Sequence, residues 1–558
     1  MRVLVVSSRP AGGRLAAVAS LFGPGDAVVW LPTSAALPAL GTFDAVMVDG
    51  HPAPRPADEL AALARRVEEG ASLVAIGAAP HERDGFWTGL LGVIAADPFP
   101  SGEWFAKLGP RPSELTARID EEFPLVDRVE PLVPEGRATQ VVLAVRRGMT
   151  DHAVVVEHQR GAGRVVASGL GVTDEALANP SVATVLRRAL RPAALAGGNR
   201  SIGLAVVGYG PFGGMGYYHG VAAAATPGLE LVAIVDTSAE RRKAAEADFA
   251  GVRAYASVDE LRADDGAEVV VLATPPTLHA PLALWLLRAG KHVATEKPMC
   301  LTLAQAEELI STARAEERVL TVHQNRRWDP DFVAVRRAVD AGMLGDLFNV
   351  ETFVGGFAHP CRAWHSDVGV SGGAVYDWGS HHVDWILQLF GGRAPTEVRA
   401  FGHKRVWHDV TNLDQVRVRM LWADGREAEF LQSDVAAVRR PKFFVQGTAG
   451  TLVGHYRPVS LERMEPGRGY VRDVAHHAEA PAELTLARYD SGYGTTETRL
   501  PVAPEQRFAF HRNLADHLLL GEPLAVTAES VRLVVAVLEA AQRSTDAGRV
   551  PVLLDDLG

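Results

Sequence analysis

Short apolar runs alternate with amphipathic stretches along the first 330 residues of the chain. In the first 195 residues the runs are short and bounded by turn residues, so they predict buried strands. Pro56 opens a stretch of helical periodicity that continues to Glu69. This alternation of strand and helix predicts a parallel sheet with helices on both faces. The predicted strands are 2–7, 26–31, 43–50, 72–77, 140–145, 152–157 and 164–169.

The same alternation restarts at Ser201, after small residues at 191–200 that indicate a linker. Beyond about residue 325 the runs alternate apolar with polar positions, which is typical of an antiparallel sheet with one exposed face. The pattern therefore predicts an α/β chain of three domains, at 1–195, 201–324 and 325–558. Strands are predicted at 204–207, 231–235, 268–273, 291–295 and 319–322, and late helices at 506–519 and 528–547.

Composition narrows the functional classes. A chain of 558 residues is too long to fold around a single hydrophobic core, which agrees with the prediction of several domains. The net charge of -11 gives no sign of the basic face that nucleic acids require. No run of apolar residues is long enough to predict a membrane span, and the N-terminus lacks signal-peptide features. The two cysteines, Cys300 and Cys361, form no Cys-x-x-Cys pair, which predicts a reducing, cytoplasmic setting.

The glycine-rich stretch Gly208-Tyr209-Gly210-Pro211-Phe212-Gly213 lies between a predicted strand and a predicted helix, and the next strand ends in Asp236. This is the dinucleotide-binding arrangement. Its glycines allow a tight turn, a close approach of backbone amides to the pyrophosphate, and helix–strand packing. Asp236 is expected to bind the adenosine ribose and to repel a 2′-phosphate, which favours NAD over NADP. Arg241 and Arg242 are a reservation against this preference, although their distance from the strand end favours a solvated face of the following helix.

Polar residues also follow the later strands, where an open α/β sheet binds its ligands. Thr274, Pro275 and His279 are expected to line the cofactor site. Glu296-Lys297-Pro298 ends the next strand, so Lys297 is expected at the same edge. Glu296 is either part of the cofactor site or a structural acid hydrogen-bonded to backbone. Arg326, Arg327 and Trp328 follow a further strand, and both substrate contact and domain packing remain open for them.

Asp377, His381 and Asp384 are spaced i, i+4, i+7 and share one face of a predicted helix. This spacing alone is also typical of an amphipathic helix whose polar face points to solvent. Histidine titrates near neutrality without tuning, so His381 is suited to accept a proton. Further candidate substrate contacts are Trp364, His365 and His382. No metal site is predicted, because the nearby histidines 359, 365, 381, 382 and 408 lack a fixed ligand spacing.

From about residue 201 to its end, the chain resembles the Gfo/Idh/MocA family of oxidoreductases. The resemblance rests on the glycine-rich stretch, on Glu296-Lys297-Pro298, and on the segment from Gly372 to Asp384. It implies a Rossmann domain and a C-terminal α/β domain with a largely antiparallel open sheet, which often forms a homo-oligomer interface, so we expect a dimer or tetramer. It also implies nicotinamide chemistry on small sugars and cyclitols.

The same resemblance implies catalytic roles for Lys297, Asp377 and His381. His381 would take the proton of the substrate hydroxyl, and Lys297 would donate to the same oxygen. Asp377 would bind a neighbouring hydroxyl and tune the other two. Asp384 is expected to be structural.

The first 195 residues resemble the ThuA-like domains, whose fold is related to flavodoxin-like class I glutamine amidotransferases. The resemblance rests on Phe43-Asp44-Ala45-Val46, Glu122-Phe123-Pro124-Leu125, and the segment from Gly161 to Gly171. A glutaminase needs a thiolate nucleophile, and this block has no cysteine. Val172 also stands where the related domains place a histidine. The block is therefore expected to be a non-catalytic binding domain, with surface or strand-end histidines at 51, 152 and 158.

The leading functional expectation is an NAD-dependent oxidoreductase that transfers a hydride between the nicotinamide and a secondary alcohol of a sugar, glycoside or cyclitol. One alternative is a redox-neutral glycosidase or epimerase that acts through a keto-sugar intermediate, with Tyr376 or His382 as the second base. Another is a non-catalytic sugar or nucleotide sensor.

Overall fold

The computed structural model describes two compact units. Unit one comprises residues 1–200 and 516–523, and unit two comprises residues 201–515 and 524–558. Within the described part of the chain, no helix is both long and apolar enough to cross a membrane. The predicted linker lies outside the described residues beyond Arg191. The residues not described are 10–11, 20, 23–25, 52–53, 82–84, 112, 117–118, 120, 136–137, 192–200, 211–213, 361–363, 458, 466–468, 476–479, 504–505 and 558.

Unit one alternates strands with helices in its first half and consists mainly of strands in its second. Its elements are β1 (Arg2–Ser7), α1 (Gly12–Ala19), β2 (Ala27–Pro32), β3 (Ala45–Asp49), α2 (Ala57–Glu68), β4 (Ser72–Ile76), α3 (Phe86–Leu91), β5 (Val93–Ala95), β6 (Ser101–Leu108), β7 (Glu122–Arg128), β8 (Leu132–Pro134), β9 (Gln140–Arg147), β10 (Thr150–Arg160), β11 (Gly163–Ser168), α4 (Asp174–Ala178) and α5 (Pro180–Leu190).

The main sheet of unit one has the strand order β2-β1-β3-β4-β11-β10-β9-β6-β7 among the described residues. The strands from β2 to β11 are parallel, whereas β10, β9, β6 and β7 pair antiparallel. The prediction of a wholly parallel sheet was therefore wrong. The physical reason is the length of the connections: two residues join β9 to β10 and two join β10 to β11. A parallel crossover needs a dozen residues or more.

The short segment 516–523 completes an ion-pair group of unit one. Glu522 accepts hydrogen bonds from Arg187 at 3.2 Å and from Arg188 at 3.1 Å. Arg188 and Glu522 are both buried. A carboxylate far along the chain therefore neutralises arginines on α5.

The first half of unit two is a parallel sheet between helices. Its strands have the order β14-β13-β12-β15-β16-β17, and every described pair is parallel. The elements are β12 (Ile202–Val207), α6 (Met215–Ala225), β13 (Leu229–Val235), α7 (Ala239–Asp248), β14 (Arg253–Tyr255), α8 (Val258–Arg262), β15 (Val269–Leu272), α9 (His279–Arg288), β16 (His292–Thr295), α10 (Leu303–Ala315) and β17 (Leu320–Val322).

This strand order is that of the Rossmann fold. All residues of β12 and β15 are buried, as expected for strands covered on both faces. The order reverses between β12 and β15, and ligands of such sheets bind in the crevice at the carboxyl ends of those strands.

The second half of unit two is built on a largely antiparallel sheet, as expected. Among the described strands the order is β27-β26-β23-β22-β18-β21-β20-β19-β28, and only β18 and β21 pair parallel. The elements are α11 (Pro330–Asp340), β18 (Leu347–Gly355), α12 (Val368–Ser371), α13 (Ala374–Leu389), β19 (Glu397–His403), β20 (Gln415–Leu421), β21 (Glu427–Ser433), β22 (Phe443–Gly447), β23 (Gly450–His455), β24 (Val459–Glu465), β25 (Gly469–Ala475), β26 (Glu483–Asp490), β27 (Gly494–Leu500), α14 (Ala509–Leu520), α15 (Ala528–Asp546) and β28 (Val552–Leu553).

Helix α13 packs against this sheet and against α15, and most of its residues are buried. It is tied to the Rossmann half by a two-point ion pair. Arg327, which follows β17, donates to the two carboxylate oxygens of Asp384 at 2.8 and 2.6 Å. The same guanidinium donates to the carbonyl oxygen of Ala525 at 2.7 Å. The pair therefore fixes the position of α13 relative to the edge of the Rossmann sheet.

Replacing Arg327 with methionine should lower the free energy of unfolding by about 3–5 kcal/mol, because it leaves the Asp384 carboxylate buried without its cation. Urea denaturation measures this. Arg288→Met is the matched control, since Arg288 pairs with Glu308 on the surface; its effect should stay within about 0.5 kcal/mol. Equal losses in the two variants would contradict the structural role of Arg327.

Candidate active site

A cavity of about 500 Å³ lies at the carboxyl ends of the Rossmann strands in unit two. One wall is formed by residues that follow β12, β13, β15 and β16, and the other by residues that precede and begin α13. The lining residues that bear on chemistry are Gly208, Gly210, Asp236, Arg241, Thr274, Pro275, Glu296, Lys297, Trp364, His365, Tyr376 and Asp377.

The turn after β12 requires glycine. Gly208 has a φ of +96°, and a Cβ there would lie 2.6 Å from the carbonyl oxygen of Ala273. A Cβ on Gly216 would lie 2.4 Å from the carbonyl oxygen of Gly208. Gly216 on α6 therefore makes a close helix–strand contact of the kind expected of the third glycine, which was predicted at Gly213. The predicted cofactor residues Pro211, Phe212 and Gly213 lie outside the described residues.

Asp236 faces this turn from the end of β13. Its carboxylate accepts from the backbone N–H groups of Tyr209 at 3.0 Å and Gly210 at 3.2 Å. The Arg241 guanidinium lies 3.8 Å from the same carboxylate and lines the cavity. Arg241 therefore reaches back from α7 to the cavity, although its side chain is still 41% exposed. Arg242 donates to the Asp236 carbonyl oxygen at 2.7 Å.

Thr274 and Pro275 line the cavity as expected, but His279 does not. His279 is fully buried at the start of α9. Its Nδ1 lies 2.7 Å from the Pro298 carbonyl oxygen and its Nε2 lies 2.8 Å from that of Thr274. His279 therefore connects the loops that follow β15 and β16, and these two loops shape the cavity.

Lys297 reaches across the cavity edge to α13. Its Nζ donates to Asp377 Oδ1 at 2.6 Å and to the Asp377 carbonyl oxygen at 3.2 Å. Burial alone would raise the pKa of Asp377, but the charge and hydrogen bond of Lys297 outweigh it and lower that pKa. Asp377 is therefore an anion at neutral pH, and both partners remain partly exposed to the cavity.

His381 lies one turn beyond Asp377 on α13 and is 5% exposed. Burial, reinforced by the positive charges of Lys297 and Arg326, lowers its pKa well below the ordinary value. Its ring is therefore neutral at pH 7, and His381 is not among the residues that line the cavity. Among the described residues, its Nδ1 has no hydrogen-bond partner.

Trp364 and His365 both line the cavity, with their ring centroids stacked 3.7 Å apart. Burial lowers the pKa of His365, although the nearby Asp377 carboxylate acts in the opposite sense. An uncharged imidazole beside an indole offers one polar atom and a flat apolar surface to a ligand.

Three other predicted substrate contacts do not line the cavity. Arg327 is occupied by Asp384, which supports packing, the second possibility that the sequence left open for Arg327. Trp328 is half-buried outside the cavity lining. His382 is fully buried, with its ring centroid 4.7 Å from that of Trp385 and 5.0 Å from that of Phe430.

Glu296 lines the cavity but turns its carboxylate toward buried histidines. Its Oε1 accepts from His219 Nε2 at 2.9 Å and from His323 Nδ1 at 2.8 Å, and its Oε2 accepts from the backbone N–H of Lys297 at 3.1 Å. Burial alone would raise the pKa of Glu296, but His323 and these hydrogen bonds hold it well below the ordinary value. Neither histidine was singled out from the sequence, because His219 is 77 residues from Glu296.

Asp434, which directly follows β21, is a half-buried acid outside the cavity lining that the sequence did not single out. Burial raises its pKa to about 6, and the charges of Asp377 and Asp414 add to the shift. In the sequence it only marks the end of a strand.

The buried histidines should make the protein less stable in acid. Burial lowers the pKa of His382 well below its ordinary value of about 6.5, so the unfolded chain binds a proton that the folded chain does not. Its contribution is therefore lost as the pH falls below about 6.5, at about 1.4 kcal/mol per pH unit. In His382→Leu, urea denaturation at pH 7, 6 and 5 should show a slope reduced by about that amount. The exposed control His455→Gln should keep the wild-type slope, and an unchanged slope in His382→Leu would contradict the assignment.

Comparison with known proteins relates the two halves of unit two to described protein families. Residues 202–324 match the model of the oxidoreductase family with an NAD-binding Rossmann fold, and residues 332–453 match the GFO/IDH/MocA C-terminal domain. The chain is 27% identical to the scyllo-inositol 2-dehydrogenase (NADP(+)) of Bacillus subtilis, covering 63% of this chain and 96% of that one. It is 29% identical to the inositol 2-dehydrogenase of Rhizobium meliloti, covering 50% of this chain and 83% of that one.

A solved structure is similar over the same extent. The NAD-binding protein from Listeria innocua has 27% identity and a TM-score of 0.54, over 63% of this chain and 97% of that one. Residues 202–324 therefore match an NAD-binding Rossmann fold of the oxidoreductase family, and residues 332–453 match the C-terminal domain of GFO/IDH/MocA proteins.

Proposed function

We propose that this CH–OH oxidoreductase transfers a hydride between NAD and a secondary alcohol of a sugar, glycoside or cyclitol. The observation that carries the proposal is the Lys297–Asp377 pair, 2.6 Å long, in the same cavity that begins at the glycine turn of β12. A cation that can bind an alcohol oxygen and an anion that can bind a neighbouring hydroxyl thus lie together beside a dinucleotide site.

The residues present fit a dinucleotide. The turn at Gly208 leaves no room for a side chain, and the backbone there is open to the cavity. A bound nicotinamide would supply the hydride acceptor for alcohol oxidation. Thr274 and Pro275 would form part of the wall beside it.

The side chains of the protein would then transfer the hydroxyl proton and stabilise the charge that develops on the alcohol oxygen. The Lys297 ammonium would donate to the alcohol oxygen and stabilise the negative charge that develops there. His381, one helical turn beyond Asp377 on α13, would accept the hydroxyl proton. Asp377 would hold Lys297 in place and bind a vicinal hydroxyl, and Trp364 and His365 would contact the rest of a polyol ring.

Two observations support the substrate class. The cavity combines charged groups with a flat aromatic surface, which suits a ring that carries several hydroxyl groups. The relatives from Bacillus subtilis and Rhizobium meliloti are named as inositol dehydrogenases.

The redox-neutral alternative needs a second base, and neither proposed group is free for that task. The Tyr376 hydroxyl donates to the Leu301 carbonyl oxygen at 2.7 Å, and burial raises the pKa of that hydroxyl well above its ordinary value. His382 is buried among aromatic rings. Net accumulation of NADH during turnover would favour the dehydrogenase over this alternative.

For unit one we propose a ThuA-like binding domain without catalysis. This rests on its resemblance, on the lack of cysteine, and on the way its acidic residues are used. Asp49 is fully buried and accepts from Arg14 at 2.6 Å, and Asp127 accepts from backbone N–H groups at Gly171 and Thr173. We further propose the domain limits 1–195, 201–324 and 325–558, and a homo-oligomer formed through the open sheet of the last domain.

Replacing Lys297 with alanine should lower kcat by about 10²- to 10⁴-fold, the usual contribution of a group that assists proton transfer. The wild type is first screened against sugars and cyclitols by NADH absorbance, and kcat is then measured on the best substrate. Lys243→Ala is the control, because Lys243 is exposed on α7. A Lys297→Ala enzyme with wild-type kcat would refute the proposed role.

Replacing Asp236 with asparagine should raise KM for NAD about tenfold or more, because a charged acceptor for the ribose hydroxyls is lost. The asparagine oxygen still accepts from the glycine turn, so the fold is retained. Arg241→Ala should leave KM for NAD nearly unchanged. A wild-type preference for NADP that disappears in Arg241→Ala would instead assign Arg241 to a 2′-phosphate.

A further inference from the structure

Three buried histidines of unit two meet behind the cavity edge. His219 lies on α6, His323 follows β17, and His511 lies on α14, and none is more than 1% exposed. One ring nitrogen of each lies within 4.8 Å of those of the other two. We refer to these three residues as the histidine cluster.

Glu296 determines which nitrogens of the cluster carry protons. Its Oε1 accepts from His219 Nε2 and from His323 Nδ1, so both of those nitrogens are protonated. The opposite nitrogens, His219 Nδ1 and His323 Nε2, are therefore lone pairs in the neutral rings. His219 Nδ1 lies 2.9 Å from His511 Nε2, and His323 Nε2 has no hydrogen-bond partner among the described residues.

This arrangement matches the way proteins hold transition metals. Histidine ligands donate their second N–H to a carboxylate, which fixes the tautomer and the ring orientation. In a tetrahedral zinc site, two ligand nitrogens at the usual Zn–N distance lie about 3.3 Å apart. In the cluster, His219 Nδ1 and His511 Nε2 lie 2.9 Å apart, and no two of the three ligand nitrogens are more than 4.8 Å apart.

A simple hydrogen-bonded network explains the cluster less completely. In that case His511 Nε2 donates to His219 Nδ1, and the contact of 2.9 Å is accounted for. His323 Nε2 and His511 Nδ1 then remain buried without partners among the described residues, which native proteins avoid. A cation at the centre satisfies His323 Nε2 as well.

We propose that His219, His323 and His511 bind one divalent transition-metal ion of the zinc class, with Glu296 orienting the rings. Three neutral imidazoles are the donor set that such ions prefer. The sequence predicted no metal site, and the histidines it considered are others. None of the three lines the cavity, so the ion would join α6, the end of β17 and α14 and stabilise unit two.

The test uses the full-length protein without a histidine tag, treated with chelator and titrated with Co²⁺ or Zn²⁺. We expect one ion per chain, visible absorption typical of four-coordinate Co²⁺, and a rise in Tm with Zn²⁺ because the ion binds only the folded state. His511→Gln should lose both signals, and Glu296→Gln should weaken binding about 10- to 100-fold. The exposed control His455→Gln should behave as the wild type.

The wild-type titration is decisive without any variant. Failure to retain an ion, or a spectrum of six-coordinate Co²⁺ only, would overturn the proposal. Unchanged binding by His511→Gln would overturn it as well. Because the readouts are stoichiometry, absorption and Tm, the outcome does not depend on identifying the substrate.

Discussion

The contact between Lys297 and Asp377 is the interaction on which the organisation of the site depends. It joins the end of β16 to the first turn of α13, and so joins the cofactor half of unit two to its second half. A partly exposed ion pair contributes little to stability. Its role is to fix the relative position of the two side chains. Asp377 lies on a helix that is held by the ion pair of Arg327, and Lys297 lies in a loop that is held by His279.

Desolvation sets the electrostatics of the same region. Burial lowers the pKa of His381 and also acts to raise that of Asp377, yet Lys297 reverses the outcome for Asp377 and reinforces it for His381. Lys297 thus keeps the Asp377 carboxylate charged, and burial, to which Lys297 adds, keeps the His381 imidazole neutral. These are the two states that binding a hydroxyl and accepting its proton require.

The sequence predicted the parts of the fold that local patterns determine. The Rossmann strands, Asp236 at the end of β13 and the Lys297 strand end all follow from apolar runs and their boundaries. The antiparallel half of the first sheet was missed because apolar runs do not record strand direction, although the two-residue connections carry that information. Gly213, predicted as the third glycine, lies outside the described residues, whereas the close contact of Gly216 with the turn depends on how α6 packs.

What could not be predicted depends on contacts distant in sequence. His219, His323 and His511 span 292 residues, and no local pattern relates them. The reach of Arg241 back to Asp236 and the burial of His382 depend on side-chain direction rather than on helical spacing. Arg327 likewise resembled a substrate contact until its carboxylate partner, 57 residues away, was placed.

The position of Glu522 in unit one has a consequence for biosynthesis. A ribosome releases α5 more than 300 residues before it reaches Glu522, since 334 positions separate Arg188 from that carboxylate. The nascent first unit must therefore wait for most of the oxidoreductase to be translated before this ion pair can form. A fragment cut at residue 200 would lack that pair permanently, because unit one includes the segment 516–523, which is translated only after most of unit two.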